Sequence, residues 1–191
     1  IPHRTPVIMF DMATALYAMQ IISATIFARI SEKFGKKIEI SLMESAAAFQ
    51  SIRLMSGYME GPYKHASSPS GTFKTKDGWI QLIVVKNHEF NKFCDAVGWN
   101  KFKDDPRFFS NTKRREHENF LTKEVQKLFV NKPTDYWKNL LDQYQVQNEK
   151  VQSYKELVES NQSKELNLIS WLDQPTTGRL WPIPNIPGLS K

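Results

Sequence analysis

The sequence predicts an α/β fold. Three observations carry this reading. Residues 12–28 form an uncharged, alanine-rich run, residues 37–43 alternate apolar and polar, and an Asp-Gly turn separates two strand-like stretches at 71–75 and 79–85. Helical and two-residue periodicities in one chain call for helices packed with sheet.

The run from Met12 to Ala28 is long enough to suggest a membrane span, but Thr14, Gln20, Ser23 and Thr25 interrupt it. A helix buried inside protein is the better reading, with alanines letting other backbone approach closely. Asp11 stands just before it, where an N-cap would sit. The helix should stop near Lys33, Phe34 and Gly35, with Gly35 supplying the turn. In the alternating segment Ile38, Ile40 and Leu42 share one face and Glu39 and Ser41 the other, a strand pattern. Residues 44–58 read as one helix closed by Gly57 or by Gly61 and Pro62.

A polar loop spans 63–70, followed by the hairpin turning at Lys76, Asp77 and Gly78. Asn87 can cap a helix reaching Val97, and Asp105-Pro106 restarts the chain in a turn or short helix. Residues 112–130 predict one amphipathic helix burying Phe120, Leu121, Val125, Leu128 and Phe129. Pro133 and Thr134 open another, to about Tyr144. Ser153 with Glu156 forms a capping box for 154–159, and residues 166–172 are apolar enough for a strand. The tail from Trp181 to Pro187 holds three prolines, so it cannot be a central strand and reads as an extended surface segment.

Aromatic and branched residues spread along all 191 residues argue against disorder. The net charge of +6 suits an anionic partner such as a nucleotide phosphate. The basic residues are scattered, however, and Lys113-Arg114-Arg115 runs straight into Glu116, which reads as a solvated helix face and not as a nucleic-acid patch. Cys94 is the single cysteine, so no disulfide forms within the chain, and a reducing, cytoplasmic setting is the default. His3, His65, His88 and His117 lack ligand spacing, and no structural metal is expected. The chain starts at Ile, which reads as processing or truncation, and shows no basic, small-residue leader pattern. From the residues alone, Asp11 would be an ordinary helix-start carboxylate, and no phosphate loop or serine elbow is present.

A resemblance adds to this. Asp11-Met12-Ala13-Thr14-Ala15, then Ala28-Arg29, then the stretch from Phe34 through Gly35, Lys36 and Leu42 to Ser45, run in order without a gap. The hairpin from Gly71 to Ile80 follows, then Asp104-Asp105-Pro106-Arg107-Phe108 with Arg114 or Arg115 and Asn119 beyond it. Together these resemble the C-terminal half of the family III CoA-transferases, the CaiB/BaiF group. The resemblance implies a Rossmann-like large CoA-binding domain ending near residue 60, a small α+β domain with a hairpin over 61–150, and a segment over 151–191 returning to the large domain. It implies Asp11 as the nucleophile, Leu42, Lys36 and Lys37 as candidate CoA contacts, no prosthetic group, and acyl-CoA and a carboxylic acid as substrates. It also implies an interlocked homodimer, with no nucleic-acid or membrane partner.

Three departures stand out. The common Thr-Gly-x-Gly-Gln turn is reduced to Glu32-Lys33-Phe34-Gly35-Lys36. Residues 65–70 replace a glycine-rich loop, and Val146-Gln147-Asn148-Glu149-Lys150 replaces a Gly-Ile/Val-Pro-Cys stretch. Lys36 and Lys37 also have a plain reading as surface charges. The alternative within the superfamily is an acyl-CoA racemase, which would need a second acidic residue near Val85-Lys86-Asn87, where none stands. The alternative outside catalysis is a truncated fragment lacking the N-terminal half.

Overall fold

In the computed structural model, which describes residues 6–61 and 65–188, the chain divides into two units, Ile1–Lys64 and His65–Lys191. The first unit is helical. Its alanine-rich run forms α1 (Met9–Glu32), which begins earlier than the uncharged stretch. The Met12 amide already bonds to the Ile8 carbonyl at 3.2 Å, so Asp11 lies inside the first turn and is not the cap. Thr14 and Thr25 return their hydroxyls to the carbonyls four residues back, at 2.7 and 2.8 Å, which satisfies both polar groups within the helix. Lys33, not Gly35, closes α1: it adopts φ 59° and its N–H reaches the Arg29 carbonyl.

The predicted strand over 37–43 does not form. Ile38 and Ile40 are half-buried while Lys37, Glu39 and Ser41 are exposed, so the alternation is visible in burial. A strand also needs a ladder partner, and among the described residues of this unit there is none. The segment ends at a capping box, in which Glu44 N–H donates to Ser41 Oγ and Ser41 N–H donates to the Glu44 carboxylate, both at 3.1 Å. The helix expected over 44–58 is two helices, α2 (Leu42–Phe49) and α3 (Ser51–Glu60), because Gln50 leaves helical geometry at φ −108° and ψ 22°. Gly57 stays inside α3, and Gly61 follows it at φ 83°.

Within this unit α1 is barely covered. Ala13 is its one buried residue, while Leu16, Met19, Ile26, Phe27 and Ile30 are exposed. By length and composition α1 could cross a membrane.

The second unit is built on a sheet. The Asp-Gly signature joins β1 (Ser70–Lys74) to β2 (Trp79–Ile83), with Phe73 opposite Ile80. Helix α4 (Asn87–Val97) lays Phe90, Phe93 and Cys94 on one face and stops at Gly98, φ 73°. Asn87 is the first helical residue and not its cap; the Glu89 carboxylate takes the Val85 and Lys86 N–H groups, each at 2.9 Å. Short α5 (Asn100–Lys103) and a 3₁₀ turn (Pro106–Phe108) drop Phe108 into the core.

The helix predicted over 112–130 breaks at His117 into α6 (Asn111–Glu116) and α7 (Glu118–Phe129). Leu121, Val125 and Phe129 recur every four residues and are buried, whereas Phe120 remains 40% exposed. Helix α8 (Thr134–Gln143) adds Trp137 and Leu141, with the Trp137 indole N–H donating to the Phe129 carbonyl at 2.8 Å. Strand β3 (Asn148–Lys150) then pairs with the free side of β2, giving the order β1-β2-β3. The Phe73 and Phe129 rings meet edge to face at 5.6 Å within this core.

Two side chains staple the sheet to the helices. Asp77 Oδ1 accepts the Thr134 N–H at 2.8 Å and its hydroxyl at 2.9 Å, so the hairpin turn caps α8. Gly78 is required there, since a Cβ would come within 2.9 Å of Thr134 Oγ1. Gln126 of α7 bonds both the N–H and the carbonyl of Lys74, covering that part of the β1 edge. Beyond β3, α9 (Tyr154–Glu159) carries the predicted Ser153–Glu156 capping box, and α10 (Asn161–Glu165) follows. The proline-rich tail is not merely extended: β5 (Arg179–Pro184) pairs antiparallel with β4 (Ile169–Gln174). A two-stranded ribbon has edges only, so proline is tolerated.

One basic residue departs from the solvated-face reading. Lys113 and Arg115 are exposed, but Arg114 is completely buried. Its Nε donates to the Ser68 carbonyl at 2.8 Å, Nη1 to Asn87 Oδ1 at 3.0 Å and to the Phe108 carbonyl at 3.1 Å, and Nη2 to the Val85 carbonyl at 3.1 Å.

Arg114→Met strips donors from several buried acceptors and should cost on the order of 3–5 kcal/mol, read as a fall in the urea midpoint. Arg114→Lys should recover only part of it, because one ammonium cannot match the fork. An unchanged midpoint for the Met variant would refute the anchoring role.

A second expectation concerns acid. The Thr134 N–H, and then its hydroxyl, hold the Asp77 carboxyl below its ordinary value. The Ser153 N–H, then the Lys150 ammonium, hold the Glu156 carboxyl at about 2. A depressed folded pKa stabilises fully above the unfolded value near about 4 and is lost as pH falls through the folded one. Thermal melts should therefore weaken below about pH 4, and Asp77→Asn should flatten that dependence.

Candidate functional site

The sequence-predicted site residues all fall in the first unit. Asp11 is in the first turn of α1 with an exposed carboxylate. At that position a helix has unpaired amides and the positive end of its dipole, an environment that suits a negative charge. Lys36 and Lys37 lie in the turn after α1. Lys36 Nζ pairs with Glu32 at 2.5 Å and sits 5.5 Å from the Phe34 ring centre, while Lys37 pairs with Glu39. Both lysines therefore spend their charge locally. Leu42 opens α2 and is 54% exposed.

Beside these residues, α1 and α2 enclose an open cavity of about 240 Å³, lined by Tyr17, Ile21, Glu39, Ile40, Glu44, Ser45 and Ala48. Asp11 is not among its walls. Tyr17 is six positions beyond Asp11, which on a helix turns it well away from the carboxylate. The structure thus places Asp11 at the helix start, as the sequence predicts, but not in this cavity. Among the described residues no cluster of three or more His, Cys, Asp or Glu side chains has metal-binding geometry.

In the second unit the polar residues that sequence reading missed are structural. Asn111 takes the Ser68 N–H on Oδ1 and returns its amide to the Ala66 carbonyl, fixing the serine-rich segment before the hairpin. Ser67, Ser68 and Pro69 in that segment are buried. A serine-rich stretch before a hairpin gives no hint of this, because the partners lie more than 40 residues away. Cys94 is buried in the core, where loss of solvation pushes its thiol up to about 12.

Helices with small antiparallel sheets, and a carboxylate opening an alanine-rich helix, define the class that the comparisons then fix. The description of CoA-transferase family III matches residues 1–190, and the chain belongs to that family. It is 26% identical over 195 residues to the succinyl-CoA:glutarate CoA-transferases of Mus musculus and Homo sapiens. These alignments take in 98% of this chain but only 44% and 43% of those proteins. The (R)-2-hydroxy-4-methylpentanoate CoA-transferase of Clostridioides difficile is 32% identical over 94 residues, 48% of this chain and 24% of that protein.

The fold is also that of solved structures. Rv3272 from M. tuberculosis superposes with a TM-score of 0.84 at 19% identity, over 100% of this chain and 51% of that one. A CaiB/BaiF family protein from Brucella suis gives 0.73 at 18% identity, over 98% and 54%. The chain spans about half the length of these relatives. The superposition with Rv3272 covers the whole chain and so takes in α1.

Two outcomes follow for individual side chains. Cys94 should resist a thiol reagent at pH 8 in the native protein and react fully in denaturant; rapid native labelling would show that the second unit opens. Replacing Lys36 and Lys37 together by Ala removes only exposed pairs and should shift stability by less than about 1 kcal/mol in a urea melt.

Proposed function

We propose that this chain supplies the nucleophile-bearing half of a CoA-transferase that moves CoA between an acyl-CoA and a carboxylic acid. The observation that carries the proposal is an exposed carboxylate, Asp11, in the first turn of the helix that opens the family match. CoA transfer is the activity in the names of the relatives from mouse, human and Clostridioides difficile, which supports transfer over racemisation.

In the proposed mechanism, Asp11 attacks the acyl-CoA thioester carbonyl. The carbon–sulfur bond breaks, giving a mixed anhydride on Asp11 and CoA thiolate. The thiolate then attacks the aspartyl carbonyl and expels the donor acid as carboxylate, leaving CoA held on Asp11 as a thioester. The acceptor carboxylate repeats the steps in reverse, and free Asp11 is regenerated. Every atom moved comes from the two substrates and one side chain, so the sequence calls for no prosthetic group. Free amides at the start of α1 would stabilise the oxyanion of each tetrahedral intermediate, and the helix dipole favours Asp11 as a carboxylate. Leu42, Lys36 and Lys37 are the proposed CoA contacts; the local pairing of both lysines means that any such contact requires them to exchange a carboxylate for a phosphate.

The complete enzyme is proposed to be a cytoplasmic, interlocked homodimer. The exposed apolar residues of α1 support an assembly that covers them.

The test uses the complete protein. Incubation with a candidate acyl-CoA and intact mass measurement should reveal a covalent CoA adduct, mapped to the peptide that holds Asp11. Asp11→Asn should abolish the adduct and lower kcat by about 10³-fold or more without unfolding the protein. An adduct on another residue, or full activity in the variant, would overturn the assignment. Light scattering should give twice the chain mass for the complete protein, and a monodisperse monomer would sink the dimer proposal.

A further inference from the structure

We draw no further inference here: the strongest candidate, the β4–β5 ribbon that exposes Trp171 and Leu180 on one face and Leu172, Trp181 and Ile183 on the other, carries none because nothing in the structure shows what covers it.

Discussion

The guanidinium of Arg114 is wholly enclosed in the second unit, and a cation in that position must be met by oxygen on every side. Burial lowers its pKa from the ordinary value, and among the described residues no carboxylate bonds it directly. Neutral acceptors do the work instead: carbonyls of Ser68, Val85 and Phe108, and the Asn87 amide oxygen. Its flat face lies 4.7 Å from the centre of the Phe90 ring. One side chain thus joins the segment before β1, the segment after β2, the start of α4, the 3₁₀ turn and α6. The irregular backbone of the unit is held because its carbonyls have a donor, and the order of its loops depends on that donor staying charged and in place.

The two units show what a sequence pattern can and cannot achieve alone. In the second, Phe73 of β1, Ile80 and Leu82 at alternate positions of β2, and Leu121, Val125 and Phe129 at every fourth position of α7 find opposing surface and are buried. In the first, equally apolar residues on α1 stay exposed, and an equally regular alternation over 37–43 forms no strand. Burial depends on the pattern and on a partner being available.

The candidate site follows the same division. Asp11 was legible as a helix-start carboxylate, and the family resemblance singled it out among several such residues. Its place within the first turn of α1, and not at the cap, was not legible, because Ile8 as a cap has no side-chain signal. Lys36 and Lys37 read equally well as surface charges or as anion contacts; the structure shows both engaged by neighbouring carboxylates. The basic triplet misled most. Lys113, Arg114 and Arg115 look alike in sequence, yet the middle one faces the core because helix geometry turns each successive residue by about 100°.

What the sequence determined by itself was local. It set the Asp-Gly hairpin, the cap at Ser153, the helix starting at Thr134 and the buried stripe of Leu121, Val125 and Phe129. Each of these depends on residues within a few positions of one another. Tertiary structure decided what required a distant partner: β3 pairing with β2, Asp77 capping α8 across 57 residues, and Arg114 gathering carbonyls up to 46 residues away. It also decided that residues 37–41 find no ladder partner among the described residues and that the proline-rich tail becomes an edge strand. A hydrogen bond over such separations is set by how the chain folds back. No local propensity encodes it, because the two ends meet only once the core between them has formed.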